Sequence, residues 1–103
     1  MNGCHFLGKL TGDPVLKKYY NSFFVNFTLE VEEYRRDKDG VKKRRIDLLN
    51  FEAWDSAAKT IQQRAKKDDI MVIEAIARNE SIKDPDTVVF RITNFKIISK
   101  TRS

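Results

Sequence analysis

Residues 23–54 constrain the fold of this chain more than any other stretch. Phe24-Val25-Asn26-Phe27-Thr28-Leu29-Glu30-Val31 alternates apolar and polar side chains with a period of two, the pattern of a strand buried on one face. Val25, Phe27, Leu29 and Val31 then share a core face, and Asn26, Thr28, Glu30, Glu32 and Tyr34 share the other. A charged run from Arg35 to Arg45 follows. A second strand, read over residues 44–54, places Leu49, Phe51 and Ala53 inward and Leu48, Asn50, Glu52 and Trp54 outward. Asp39-Gly40 offers the positive φ that a tight hairpin requires, so the charged run becomes the tip joining two antiparallel strands.

The tip holds seven Lys/Arg (Arg35, Arg36, Lys38, Lys42, Lys43, Arg44, Arg45) against Asp37 and Asp39, a local +5 that equals the formal charge of the whole chain. Basicity of this degree favours an anionic partner, and its position carries more weight than its sum. The only Trp lies on the outward face of its strand, where an indole needs something to contact. Cations beside flat rings suit a polyanion whose own groups stack.

With 103 residues, one domain with one modest core is expected over residues 1–103. No apolar run approaches the length needed to cross a bilayer, the amino end lacks the basic and apolar regions of a signal peptide, and Asn2 breaks a myristoylation pattern. A single cysteine fits a reducing compartment. The cytoplasm is the expected location, as a nucleoid-associated bacterial protein or a viral protein in its host, with an organelle matrix also open.

Five strands and one helix are expected. The first covers residues 3–10 and closes at Thr11-Gly12-Asp13-Pro14. The second starts at Val15, passes a loop at Asn21-Ser22 and resumes over residues 23–34; the third is residues 44–54. Asp55-Ser56 suits a helix cap, and Ala57, Ala58, Ile61 and Ala65 mark one face of a short helix over residues 57–67. Strands over residues 70–78 and 87–98 complete the chain, joined by a loop or long hairpin at 79–86, and residues 100–103 form a frayed end. Three strands, a helix and two strands is the order of the five-stranded Greek-key barrel called the OB-fold. The expected fold class is therefore all-β with one short helix.

Several short segments resemble one family. These are Leu7-Gly8-Lys9-Leu10-Thr11-Gly12-Asp13-Pro14, Val25-Asn26-Phe27-Thr28-Leu29, Asp37-Lys38-Asp39-Gly40, Phe51-Glu52-Ala53-Trp54 with Ala57-Ala58-Lys59, and Glu74-Ala75. In this order and spacing they are similar to the bacterial-type single-stranded DNA-binding proteins, over nearly the whole chain. The resemblance implies base stacking at Tyr34, Leu48, Trp54 and Ile82, two of them aliphatic here. It also implies assembly through the first strand into dimers or tetramers, and a long tail with an acidic, Phe-terminated tip that recruits replication and repair enzymes. Asp55, Asp68 and Ala75 stand where that family usually has Gly. The chain stops at Lys100-Thr101-Arg102-Ser103, so either the tail is absent or the chain is a core fragment.

Binding of single strands requires cations along a groove and rings for bases to stack on. The candidate rings are Trp54, Tyr34, Tyr19, Tyr20 and Phe24, with one of the Tyr19-Tyr20 pair expected to be buried. The candidate cations are Lys17, Lys18, Arg35, Arg36, Lys42, Lys43, Arg44, Arg45 and Arg78. The expected partner is single-stranded DNA, bound with tolerance of sequence and an affinity that falls with salt. A calcium loop at Asp37-x-Asp39 fails because its sixth and twelfth positions would be Lys42 and Leu48. Cys4 and His5 are too few for zinc, and Cys4 is expected in the core. Glu30, Glu32 and Glu33 read as solvating charges rather than metal ligands. No cofactor and no enzymatic activity are expected. The alternatives are a tail-less primosome-accessory protein bridging DNA and a helicase loader, an OB domain that meets a protein, and an RNA binder.

Overall fold

The computed structural model describes residues 3–81 and 83–99. Its elements are β1 (Cys4–Leu10), β2 (Val15–Tyr19), β3 (Ser22–Arg36), β4 (Lys42–Trp54), α1 (Asp55–Arg64), β5 (Ile70–Ser81) and β6 (Asp84–Ile98). The strands run in the order β1-β5-β6-β4-β3-β2, and β1 also pairs with β3. Five strands thus close on themselves as an OB-fold barrel with two short seams. One is antiparallel, Lys9 opposite Glu30 and Leu10 opposite Leu29; the other is parallel, Phe51 beside Phe90 and Glu52 beside Arg91. Gly8 permits the first seam: a Cβ there would lie 3.0 Å from both the Glu30 carbonyl oxygen and the Leu29 Cβ.

Six strands form where five were expected, because Tyr20-Asn21 reverses the chain instead of merely interrupting a strand. β2 therefore folds back on β3, Tyr19 opposite Ser22 and Val15 opposite Asn26. The charged tip is also tighter than the sequence suggests. β3 and β4 stay paired out to Arg36 opposite Lys42, and Gly40 turns with φ +76°. The Asp37 carboxylate accepts from the Asp39 and Val41 amides, both at 2.9 Å.

The alternation of β3 and β4 sends Val25, Phe27, Leu29, Phe51 and Ala53 into the core. Val31 and Leu49 are only partly buried, since beyond Glu30 the β3–β4 ribbon has left β1 behind. Ala58, Ile61 and Ala65 are buried beneath the barrel. The helix ends at Arg64, short of the expected 67, because carboxylates capture the following amides: Asp69 accepts from Lys66 at 2.9 Å and Asp13 from Lys67 at 2.7 Å. The expected cap is also absent. No side chain caps the helix start; Asp55 has φ +54°, and its carboxylate accepts from the Phe23 amide at 3.4 Å instead. Of the two readings of residues 79–86, the long hairpin holds: Asn79 pairs with Val88 and Ser81 with Asp84, across a register irregularity. Cys4 is half-buried at the start of β1 rather than in the core. The frayed end at 100–103 lies outside the described residues.

Candidate nucleic-acid interface

Side chains of paired strands share a face, so the register builds a row across the outside of the barrel: Lys17 on β2, Phe24 on β3 and Trp54 on β4. Phe24 and Trp54 stack with ring centres 5.0 Å apart. Tyr19 stands edge-on to Trp54 at 6.4 Å, and Tyr20 edge-on to Tyr19 at 4.7 Å. Neither tyrosine is buried, against expectation; they are 58% and 82% exposed. The reason is the hairpin: Tyr20 occupies the first position of its two-residue turn with φ +55°, a conformation that favours Gly, and this holds its ring in solvent. Strain carried by an exposed aromatic is of the kind that gathers at binding sites.

The row opens onto a groove of about 710 Å³ between this side of the barrel and the β5–β6 hairpin. Its floor is polar. Asn26 faces Glu52 and Thr28 faces Asn50 across β3 and β4, and the Thr28 hydroxyl donates to Asn50 Oδ1 at 2.8 Å. Arg78 and Arg91 line the far wall. The Arg91 guanidinium lies 5.7 Å from the Trp54 ring centre, within reach of a cation–π contact. Glu52 Oε1 meets Arg78 Nη1 at 3.5 Å and Arg91 Nε at 3.6 Å. Among the described residues, the two buried side-chain polar atoms without a hydrogen bond are Glu52 Oε1 and Trp54 Nε1, and both belong to this groove.

The structure therefore brings Lys17, Tyr19, Tyr20, Trp54 and Arg78 together, and Phe24 with them. Lys18 lies on the opposite face of β2, its Nζ 5.8 Å from the Phe23 ring centre, a ring that Lys59 also covers at 4.6 Å. The remaining candidates stand elsewhere. Tyr34 is ten residues along the ribbon from Phe24, about 30 Å at the usual rise of a strand.

At that distant end the cations are largely neutralised. Counted over residues 30–47, seven Lys/Arg meet six Asp/Glu. Arg35 pairs with Glu33 at 3.0 Å, Arg45 with Asp47 at 3.1 Å, and Lys43 with Asp37 at 3.7 Å. Arg44 is paired with Glu32 and lies 3.9 Å from Glu30. Arg36 donates to the Gly40 carbonyl, and Lys42 sits 4.5 Å from the Tyr34 ring centre. The Tyr34 hydroxyl donates to Glu32 at 3.0 Å. Arg44 first and Tyr34 second hold the Glu32 carboxyl below its usual range, and the bond to Glu32 pushes the Tyr34 phenol up. Leu48, a stacking position by resemblance, lies exposed on the same ribbon face opposite Glu30; Ile82 is outside the described residues.

Sequence reasoning missed Arg91 and the part played by Glu52. The available signal for Arg91 was a lone cation within the apolar run Val88–Ile92. Its neighbour across the parallel seam has no local trace in the chain.

No curated protein matches this sequence. A solved structure of a deletion mutant of the single-stranded DNA binding protein from Thermus aquaticus superposes with a TM-score of 0.83 at 15% identity, over 96% of this chain and 51% of that one. The chain thus spans about half the length of that protein, and the likeness is one of fold. The sequence profile of the Single-strand binding protein family matches residues 1–101, and on that match, spanning nearly its whole length, this chain belongs to the family.

Proposed function

We propose that this protein binds single-stranded DNA with little regard to sequence, coating unpaired strands in replication, recombination or repair. The observation that carries this reading is the row Lys17–Phe24–Trp54, continued by Tyr19 and Tyr20, beside a groove walled by Arg78 and Arg91. In OB-folds this sheet face and its flanking loops are where oligonucleotides lie. Phosphates are drawn by Lys17 and the groove arginines, and bases stack on the rings, each stack contributing roughly 1–3 kcal/mol. The work is binding, and the reading assigns no catalytic group, with the cytoplasm as its compartment.

Homo-oligomerisation through β1 is part of the proposal. Over Cys4–Gly8, β1 pairs with β5 on one side, and its pairing with β3 starts only at Lys9. That leaves a sheet edge of the kind that proteins cover, and a second copy can supply the missing strand. Size-exclusion chromatography with light scattering that shows only 12.0 kDa particles would remove this element.

The test is Trp54 fluorescence during titration with an oligo-dT of about 35 nucleotides, longer than the usual site of one OB-fold, at low and moderate salt beside a duplex control. Quenching by the single strand that exceeds quenching by duplex and weakens with salt is expected. No quenching together with no change in anisotropy overturns the reading and turns the search to a protein partner; equal response to an oligo-U broadens it to RNA.

A further inference from the structure

A carboxylate with a buried oxygen at the centre of a site for a polyanion opposes its own ligand. Glu52 is such a group: its side chain is 14% exposed, and its Oε1 accepts no hydrogen bond. Arg78 and Arg91 approach this oxygen at 3.5 and 3.6 Å, close enough for strong attraction and too long for direct hydrogen bonds. The three side chains come from β4, β5 and β6, and Glu52 and Arg91 are neighbours across the parallel seam that closes the barrel. The Arg91 guanidinium is thereby set beside the Trp54 ring.

We propose that Glu52 is an internal competitor for phosphate: it gathers Arg78 and Arg91 into a cluster of net charge +1, fixes Arg91 beside Trp54, and limits the grip of the groove on the strand. The inference rests on the single-strand reading above. Two free guanidiniums neutralise two phosphates, whereas two sharing one carboxylate neutralise one. Each phosphate neutralised on a single strand contributes about 0.7 to the slope of log affinity against log salt. Loss of the carboxylate therefore steepens that slope by about 0.7, or roughly 2.6-fold more affinity lost over a fourfold rise in salt. Glu52 in this account is a positioning residue that acts through the two arginines.

The experiment measures anisotropy of labelled oligo-dT against the full chain across a salt series, for the parent, Glu52→Gln and Glu52→Asp, with thermal unfolding recorded for each. Gln is nearly isosteric with Glu, removes the charge and keeps one acceptor oxygen; Asp keeps the charge and shortens the reach. Glu52→Gln is expected to bind more tightly at low salt and to show the steeper slope, while Glu52→Asp keeps the parent slope. A Glu52→Gln slope equal to or shallower than the parent's overturns the inference. So does a Glu52→Asp slope shifted as far as that of Glu52→Gln, since that result marks a role in shape alone. A parent that binds no single strand at any salt overturns the functional reading itself; a parent that binds with an unmoved Glu52→Gln slope overturns only the competitor.

Discussion

Phe24 faces Trp54 at one end of the β3–β4 ribbon, and Tyr34 faces Arg44 ten residues further out. Both ends carry an aromatic ring on the outward face, and a linear reading treats the two rings alike. The surroundings separate them. At the barrel end a third strand adds Lys17 and Tyr19 beside the rings, and the β5–β6 hairpin supplies a wall, so the rings border a groove. At the far end the ribbon has two strands and no wall. Its tyrosine is bonded to Glu32, and its arginine is paired with the same carboxylate. A ring and a cation make a binding surface when other strands give them depth and leave net positive charge beside the ring: Arg78 and Arg91 share one carboxylate, whereas the ribbon-end cations are almost fully paired.

The largest expected contrast follows directly. Trp54→Ala should weaken binding of oligo-dT by about 1–3 kcal/mol, the scale of one lost base stack. Tyr34→Ala, 53% exposed in the parent, should change affinity by about 0.5 kcal/mol or less, as for an exposed surface pair. Anisotropy titrations of the two variants decide it. Equal losses would break the comparison and place the strand along the ribbon as well as in the groove.

Stability offers a second contrast. Gly8→Ala forces a Cβ against a backbone oxygen and the Leu29 Cβ at 3.0 Å, atoms that cannot swing aside, where β1 crosses β3. The expected cost is about 1–3 kcal/mol, as for overpacking elsewhere. Gly40→Ala at the ribbon tip meets open space and carries only the left-handed penalty of about 1 kcal/mol at φ +76°. Thermal unfolding of both variants tests this, and a larger loss at Gly40 would mean that the tip, rather than the barrel seam, limits stability.

Much of this was legible in the chain because it is local. Period-two alternation fixed which faces of β3 and β4 are buried, and the Ala58, Ile61 and Ala65 spacing fixed the buried face of α1. Asp55 and Asp68 stand where the family resemblance leads one to expect Gly, and both keep the left-handed backbone, φ +54° and +74°. The turn geometry thus outlasts the residue that suits it best. Ala75 differs: its backbone is extended within β5 and its methyl group is buried in the core. What stayed hidden depends on pairing between distant segments. The charge of the tip was counted along the chain, whereas carboxylates on the same strand and the facing one offset it. Arg91 reaches Glu52 only through the parallel seam, which joins strands 39 residues apart in sequence.

The smallest expected effect lies in the pH response of the ribbon end. Glu32 has a lowered pKa, through Arg44 first and Tyr34 next. Its bonds therefore contribute fully above the ordinary carboxylate range and are lost as pH falls through the depressed folded value. Tyr34 has a raised pKa through its bond to Glu32, so its contribution is complete below the ordinary phenol value and is lost as pH rises through the elevated folded one. Both side chains are solvent-exposed, and solvent screening keeps the stability change small. NMR titration of the Glu32 side-chain carboxyl is expected to show a midpoint below the usual carboxylate range in the parent, moving back up in Arg44→Gln. At neutral pH, Arg44→Gln should leave the Trp54 indole signals unmoved, because the two ends share a ribbon and no side-chain contact, whereas the groove carboxylate Glu52 lies with Arg91 beside that ring. Movement of the indole on Arg44→Gln would show that the ribbon transmits its charge state to the groove, and would join the two regions that the structure holds apart.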